Sequence, residues 1–303
     1  MAAPHTLADT APPRTVDPGT ENPTSNRSER RLPALGKVLG HVVLVLAAAG
    51  LLLPFFWMVS SSLKADNGVF SIPVTWFPDS PQWGNYAEIW RISDMLVWLK
   101  NTVFLSVVVT LLQLFTGSFA AYGFAKTRFP GRNLLFLLYI GTIAVPWQAY
   151  MIPQFIMMSE AGLTNTPWSI IALQAFGAFG VFLMRQYYLT IPDELCEAAR
   201  VDGLSEYGIY FRIMLPLSVP ALASLALLTF VTTWNDYLGP LIYLRDPDLW
   251  TIQLGLKSFV SDYNAEHALI MTGSVLSVLP IAIVFLLGQK YFVQGIATSG
   301  LKG

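Results

Sequence analysis

The sequence predicts an all-α, polytopic membrane protein with six transmembrane helices and both termini in the cytoplasm. Hydrophobic residues make up 54% of the chain and charged residues only 12%, with a mean hydropathy of +0.52. A soluble domain is about one quarter charged. Six apolar runs each exceed the roughly 18 residues that a helix needs to cross a bilayer. Basic residues, moreover, concentrate on alternate connections between these runs, which sets the orientation.

The elements follow in chain order. Residues 1–35 are rich in Pro, Thr, Ser, Asn and charge, so we expect a disordered cytoplasmic tail that buries too little surface to fold. A signal peptide is the competing interpretation, but no apolar stretch begins before about Leu39. Residues 36–303 then form one transmembrane domain. Its spans are predicted at about 39–63, 98–124, 134–158, 168–189, 215–242 and 269–291, followed by a cytoplasmic tail at 292–303.

The distribution of Lys and Arg predicts the orientation. With the N-terminus inside, 13 of the 18 basic residues fall on inner segments. The five on outer segments are Lys64, Arg91, Lys100, Arg245 and Lys257. Cytoplasmic loops carry the excess of positive charge in membrane proteins. Both termini and the connection at 190–214 are therefore predicted to face the cytoplasm.

Composition and motifs exclude several classes of function. The formal net charge of −1 argues against a nucleic-acid partner, and the single cysteine, Cys196, excludes an intrachain disulfide. His5, His41 and His267 are scattered, without the spacing of a metal site or of a Ser-His-Asp triad. No G-x-x-x-x-G-K-[ST] phosphate loop is present either. We therefore expect a protein that is not an enzyme, and that neither holds a metal nor binds ATP itself.

A polar island at 190–214 interrupts the apolar pattern. We expect Thr190 to cap a short helix that Gly203 ends in a left-handed conformation. Leu195, Ala198 and Ala199 fall at i, i+3 and i+4 and predict one stripe of small side chains, against which another backbone can pack closely. A second helix is predicted to begin at Ser205. From the residues alone, an amphipathic connector lying on the inner membrane surface remains an equal alternative.

The island also resembles a known motif. Glu197-Ala198-Ala199, Asp202-Gly203 and Ile213-Met214-Leu215-Pro216 resemble the EAA motif of permease subunits in binding-protein-dependent ABC importers. The likeness extends to AAYGFAKTRFPGR at 120–132, WNDYLGPLIYL at 234–244 and QKYFVQGIATSGLKG at 289–303. Together these stretches are similar to the MalG-like carbohydrate permeases over nearly the whole chain after the N-terminal tail. That tail is longer than the family leads us to expect.

The resemblance implies a division of labour between subunits. In the family the EAA loop is a helix that docks in a groove of a cytoplasmic ATPase subunit, and this assigns ATPase coupling to Glu197, Ala198, Ala199, Asp202 and Gly203. The implied partners are a second permease subunit, two ATPase subunits that bind the ATP, an extracytoplasmic substrate-binding protein and a carbohydrate, in the lipid bilayer of the cytoplasmic membrane. This chain itself needs no cofactor. Its implied function is alternating access for a di- or oligosaccharide.

A sugar path requires amides, carboxylates and aromatic faces that point into a cavity between spans. The residues that meet this description are Gln113, Trp147, Gln148, Gln154, Gln174, Asn235 and Asp236. Uncharged amides suit neutral sugars. For each amide, however, a hydrogen bond that joins two helices is a competing role.

Two outer loops, at 64–97 and 243–268, are long enough to meet a partner, and they resemble the family's surfaces for the binding protein. Plain solvated loops are the alternative. Two other functions also remain open at this point. One is an ion-coupled secondary transporter, which generally needs ionisable residues within the membrane. The other is a permease for a non-sugar solute such as a glycerol phosphate.

Overall fold

The structure is a computed structural model and describes residues 34–260 and 266–300, with only the backbone for 34, 35, 37 and 290–300. The predicted tail at 1–35 therefore lies almost wholly outside the described residues. The described part is helical, as expected. Its helices are α1 (Ala34–Ser62), α2 (Gly84–Ile92), α3 (Met95–Lys126), α4 (Arg132–Gly141), α5 (Met151–Glu160), α6 (Pro167–Gln174), α7 (Ala178–Tyr188), α8 (Glu194–Val201), α9 (Glu206–Ile209), α10 (Leu215–Leu217), α11 (Val219–Trp234), α12 (Leu238–Tyr243), α13 (Ile252–Leu256) and α14 (His267–Gly300).

The chain divides into two units, one ending at Leu52 and one beginning at Leu53. The described part of the first unit is the beginning of α1, where side chains such as Leu44 and Leu51 are exposed, as expected of a surface that faces lipid. The second unit holds the other helices. Its backbone remains helical to Gly300, so α14 continues through residues 292–300 of the predicted cytoplasmic tail.

Apolar spans match the prediction in part. Among the described residues, four segments are long and apolar enough to cross a bilayer. These are Val38–Ser62, Met95–Lys126, Pro167–Tyr188 and His267–Gln289. A fifth consists of Glu206–Leu217 and Val219–Trp234, which meet at an angle of 77°. Pro220 causes this bend, because it lacks the N–H that would bond to the carbonyl of Pro216 in a continuous helix.

The predicted third span, 134–158, is not one helix. It consists of α4, two short 3₁₀ turns at Thr142–Ala144 and Trp147–Ala149, and α5. Pro146 is the physical cause, since the residue before a proline is disfavoured in the helical region and Val145 is extended, with φ −85° and ψ 114°. Sequence periodicity alone does not reveal such a break.

The second unit has two ends, which we name after residues of α3. At the Asn101 end, Asn101 Nδ2 donates to the carbonyls of Asp248 and Trp250 at 2.8 and 3.0 Å. Asn165, beyond α5, accepts at the same end from the backbone N–H groups of Arg245 and Asp246. At the Lys126 end, Lys126 pairs with Asp193. The broken α4–α5 segment therefore runs from one end of this unit to the other.

Candidate functional site

An open cavity of about 800 Å³ lies among α3, α5, α6, α7, α11 and α12. Most of the residues predicted to contact a sugar line it. They are Gln113, Trp147, Gln154, Gln174, Asn235 and Asp236. Gln148, also predicted, is exposed and does not line this cavity. The cause is the 3₁₀ turn at 147–149, where each residue advances by about a third of a turn, so that Trp147 and Gln148 point in different directions.

A hydrogen-bond network joins three of these residues across the cavity wall. Gln113 Nε2 donates to the carbonyl of Gln174 at 2.8 Å, and Gln174 Nε2 donates to Asp236 Oδ2 at 2.8 Å. Asp236 Oδ1 accepts from the N–H of Gly239 at 3.1 Å. Both carboxylate oxygens of Asp236 are thus engaged. Gln113 and Gln174 thus form hydrogen bonds that join helices, the alternative role considered for these amides, and they also line the cavity.

The remaining predicted residues keep some hydrogen-bonding capacity. Trp147 Nε1 donates to Gln154 Oε1 at 2.8 Å, which orients the indole at the cavity edge. Asn235 Nδ2 donates to the carbonyl of Val231 in its own helix at 2.8 Å. The Nε2 group of Gln154, the ring face of Trp147 and the second N–H of the exposed Asn235 are therefore the parts of this set that can meet a solute.

Sequence reasoning missed several lining residues. They are Tyr150, Phe179, Thr229, Thr232, Thr233 and Tyr237. A signal did exist for the threonines, since 229, 232 and 233 are spaced i, i+3 and i+4 and share one face of α11 within an apolar run. Among the described residues, no lysine, arginine or histidine lines the cavity, and the single carboxylate in its lining is that of Asp236.

The fourth predicted span is interrupted beside the cavity, between α6 and α7. Gly177 is extended there, with φ −106° and ψ 118°. Two side chains of α3 satisfy the carbonyls that the break leaves free: Gln113 bonds to that of Gln174, and Thr116 Oγ1 donates to that of Ala175 at 2.8 Å. Non-helical backbone at membrane depth is found where protein or a cavity surrounds it.

The second candidate site is the predicted docking helix, α8. Gly203 ends it with φ +83°, as expected, and Ser205 caps α9 by accepting from the N–H of Gly208. Thr190 does not cap α8, because its hydroxyl donates to the carbonyl of Tyr187 and α8 begins only at Glu194. These local turns present α8 as a short rod at the Lys126 end.

Most residues of the predicted coupling set are accessible on α8. Glu197, Ala198, Asp202 and Gly203 are exposed. Ala199 is only 4% exposed and packs in the chain's own core, so its side chain faces α3 and α7 in this structure, and its contact with a partner stays a prediction. The helical rotation of about 100° between consecutive residues separates the two alanines. The outward apolar positions are Leu195, Ala198 and Val201, the last 88% exposed.

The inner face of α8 packs against three other segments. Cys196 and Ala199 share a buried cluster with Tyr122 of α3, Met184 of α7 and Met214. Burial raises the pKa of the Cys196 thiol, which makes the group a packing element. A hydrogen bond from Lys126 lowers the pKa of the Asp193 carboxyl at the beginning of α8.

Polar contacts of α8 were not anticipated from the sequence. Arg200 Nε lies 2.7 Å from Glu206 Oε1, and Tyr122 OH donates to Glu206 Oε2 at 2.5 Å. The side chain of Lys126 is only 2% exposed and pairs with Asp193. The available signal was Lys126 itself, a lysine at the very end of an apolar run.

Comparisons with known proteins agree with this geometry. Residues 113–298 match the family described as binding-protein-dependent transport system inner membrane component. The chain is 39% identical over 206 residues to the arabinooligosaccharides transport system permease protein AraQ of Halalkalibacterium halodurans, covering 68% of this chain and 74% of that protein. It is 36% identical over 270 residues to the lactose transport system permease protein LacG of Rhizobium radiobacter, covering 89% and 97%.

A solved structure shows the same fold. It is a crystal structure of a bacterial ABC transporter involved in the import of the acidic polysaccharide alginate, with a TM-score of 0.75 and 26% identity over 89% of this chain and 99% of that one. The resemblance to carbohydrate permeases is thereby confirmed, as is a multi-pass location in the cytoplasmic membrane. The chain belongs to the family of inner-membrane components of binding-protein-dependent transport systems, the membrane permease subunits of ABC importers.

Proposed function

We propose that this permease moves a neutral di- or oligosaccharide by alternating access through the cavity beside Gln113, Gln154 and Asp236. The observation that carries the proposal is the chemistry of the cavity lining. Amides, threonine hydroxyls and aromatic rings border about 800 Å³, with no cation among them. Such groups offer hydrogen bonds and flat apolar faces, which is what a sugar without charge requires.

The names of relatives support a carbohydrate and leave its identity open. AraQ and LacG are named for arabinooligosaccharides and for lactose, which are neutral sugars. The transporter of similar fold is described as importing an acidic polysaccharide. An anionic cargo needs positively charged partners, and the described part of this chain places none in the cavity lining. The lining of the cavity therefore favours a neutral cargo.

The energy for transport comes, in this proposal, from two partner ATPase subunits that bind ATP and dock against α8. Glu197, Ala198 and Asp202 are exposed there, and the left-handed Gly203 turns the chain sharply away. The small side chain of Ala198 permits close approach, while the Glu197 carboxylate has no hydrogen-bond partner in the described part of the chain and can accept one from a partner. A second permease subunit completes the pathway across the membrane.

A binding protein delivers the sugar at the Asn101 end. Residues 63–94 form an ordered surface there, since Asn85 Nδ2 donates to the carbonyls of Ser62 and Lys64, and Ser60 Oγ donates to that of Trp76. A secondary transporter is not favoured, because the family consists of binding-protein-dependent systems. A permease for glycerol phosphate, the solute for which the relative UgpE of Pectobacterium atrosepticum is named, is not favoured either, because the described lining of the cavity holds no cation for a phosphate.

The test of the cargo is to isolate the complex through an affinity tag on this chain and identify its subunits by mass spectrometry. The co-purified or co-encoded binding protein is then titrated calorimetrically with neutral disaccharides, neutral oligosaccharides, uronate oligomers and glycerol 3-phosphate. We expect heat of binding with a neutral sugar. Binding of an anionic compound alone would falsify the proposed cargo.

The docking role of α8 has a separate test. Ala198→Arg places a long charged side chain on the outward face of α8, and we expect it to abolish co-purification of the ATPase. Ser80→Arg, at an exposed position of the Asn101 end, is the matched control. If the ATPase stays bound to the Ala198→Arg variant, the docking surface lies elsewhere.

A further inference from the structure

We propose that α3 is the rod through which α8 acts on the cavity, and that Lys126, Arg200 and Glu206 are positioning residues that fasten α8 to it. This inference rests on the proposed docking of an ATPase against α8. It specifies which helix moves when a docked ATPase displaces α8, and which side chains connect α8 to that helix.

The beginning of α8 is fastened to the last residue of α3. Lys126 Nζ pairs with Asp193 Oδ1 and also donates to the carbonyl of Ile191. The lysine side chain is 2% exposed, while the Asp193 side chain is 74% exposed. A nearly buried ammonium group is costly unless it is paired and hydrogen-bonded, so this contact strongly favours one position of Asp193 relative to α3.

The end of α8 is fastened to the same turn of α3. Arg200 Nη2 donates to the carbonyl of Lys126 at 3.3 Å, and Arg200 Nε pairs with Glu206 at 2.7 Å. Glu206 in turn accepts from Tyr122 OH. Both ends of α8 are thus tied to the stretch between Tyr122 and Lys126. A helix held at both ends moves with its support as one body.

Helix α3 is continuous from α8 to the opposite end of the unit. It runs unbroken over 32 residues, about 48 Å at 1.5 Å per residue. On the way it borders the cavity at Gln113, and at its other end Asn101 holds the carbonyls of Asp248 and Trp250. A displacement of its Lys126 end is therefore transmitted to the cavity wall and to the Asn101 end.

The other routes from α8 are interrupted. Toward the N-terminus, α7 gives way to the break at 175–177 beside the cavity. Toward the C-terminus, a π-helical turn at Tyr210–Met214 and the 77° bend at Ser218 separate α8 from α11. Breaks in the helical hydrogen-bond ladder absorb displacement locally. Helix α7 also reaches the cavity, at Ala178 and Phe179, but it ends there. Among the described helices that adjoin α8, α3 alone continues without a break past the cavity to the Asn101 end.

The experiment follows the side of the membrane from which the cavity is accessible. Thr232→Cys places a thiol at an exposed position of the cavity lining, and the native Cys196 is 1% exposed. The tagged complex is reconstituted in proteoliposomes and labelled with a membrane-impermeant maleimide, with and without Mg-ATP and vanadate. In the Thr232→Cys complex we expect nucleotide to change the labelling rate about tenfold, a shift of about 1.4 kcal/mol between states.

Arg200→Glu places a second carboxylate beside that of Glu206, so that the two side chains repel each other. We expect this variant to keep its ATPase subunits and to hydrolyse ATP within about twofold of the parent, while the nucleotide-dependent change in labelling disappears. Adding Glu206→Arg restores the attraction and should restore the change. Tyr122→Phe removes only one hydroxyl and should reduce it by about threefold. Reversing Glu88 of the exposed Glu88–Arg91 pair at the Asn101 end should alter nothing.

Two results overturn the inference. One is a nucleotide response that survives in Arg200→Glu. The other is loss of the ATPase from Arg200→Glu without recovery in the double reversal, which would assign these residues to docking. If nucleotide does not change the labelling rate of the Thr232→Cys parent, the proposed function itself is contradicted. The Arg200 and Glu206 variants test only whether α3 connects α8 to the cavity.

Discussion

Cys196, the only cysteine of the chain, illustrates how one residue reports on the packing of α8. Its thiol is buried and its pKa is raised, so little of the reactive thiolate is present at neutral pH. Ala198 lies two residues further along α8 and is exposed. Residues this close on a helix differ in direction by about 200°. Their reactivities should therefore be opposite.

We predict that Cys196 resists maleimide in the folded protein at pH 7, and that Ala198→Cys adds a thiol that reacts at least about tenfold faster, because only its side chain meets solvent. Mass spectrometry of the labelled protein measures both sites. Denaturation in sodium dodecyl sulfate is the control and should make the two sites equal. Equal rates in the folded protein contradict the burial of the inner face of α8.

Asp193 supplies a prediction about pH. Its folded pKa is lowered by Lys126, so the pair stabilises the fold fully above the ordinary aspartate pKa of about 3.9, and this stabilisation is lost as pH falls through the folded value. We expect Asp193→Asn to lower the thermal midpoint at pH 7 by a few degrees, about 1 kcal/mol after solvent screening. The difference should vanish under strongly acidic conditions.

Differential scanning fluorimetry of the purified complex at pH 7 and at acidic pH measures this. Asp79→Asn, an exposed carboxylate at the Asn101 end, is the control and should change neither value. A destabilisation of Asp193→Asn that grows on acidification has the wrong sign for this ion pair.

Predictions for single residues were correct where a residue acts only on its neighbours in the chain. Gly203 and Ser205 act through their own backbone neighbours, and the sequence predicted both. The burial of Ala199 was not predicted, because the buried face of α8 is decided by its packing against α3 and α7. Lys126 and Glu206 were missed for the same reason. Their partners come together only through the fold.

At the level of elements, the break between α6 and α7 depends on a close approach. A Cβ at Gly177 would lie 2.7 Å from Gln113 Oε1, so any larger residue displaces the Gln113 side chain and its bond to the carbonyl of Gln174. The end of a glutamine can move, so the cost is the lost hydrogen bond and not backbone strain. Such an unsatisfied buried group costs about 1–3 kcal/mol.

We therefore predict that Gly177→Ala and Gln113→Ala each lower stability by about 1–3 kcal/mol, and that the double variant costs little more than Gln113→Ala alone, because both remove the same contact. Thermal unfolding of the complex measures the three values. Gln148→Ala, an exposed amide that does not line the cavity, should be near neutral. Full additivity would show that the two residues act independently.

Apolar length predicted the spans, while their interruptions required the structure. Runs at 98–124 and 269–291 correspond to single helices of α3 and α14. The run at 168–189 contains no proline, and its break at Gly177 is held open by side chains of α3, which no local pattern records. A hydrophobic run indicates that lipid can surround a segment. The run does not indicate how the backbone groups within the segment are hydrogen-bonded.

The whole molecule makes a prediction about topology. If the broken α4–α5 segment crosses the membrane as the sixth span, the excess of basic residues on inner segments predicts that α8 lies on the cytoplasmic side, with residues 63–94 and Asn165 outside. A cysteine at Ala198 should then react with impermeant maleimide only in inside-out vesicles, and one at Ser80 or Ala161 only in right-side-out cells. Labelling of Ala161→Cys from the same side as Ala198→Cys contradicts the sixth crossing.

The near contact of two glycines on α3 and α7 has a geometric consequence. A Cβ at Gly117 would lie 3.4 Å from the carbonyl carbon of Gly180, so the two backbones almost touch there. This fulcrum divides α3 into arms of about 14 Å toward Lys126 and about 33 Å toward Met95. Any tilt about it carries the two tips in opposite directions, the distant tip more than twice as far. A small displacement of the Lys126 end would thus become a displacement more than twice as large, and in the opposite direction, at the Met95 end of α3.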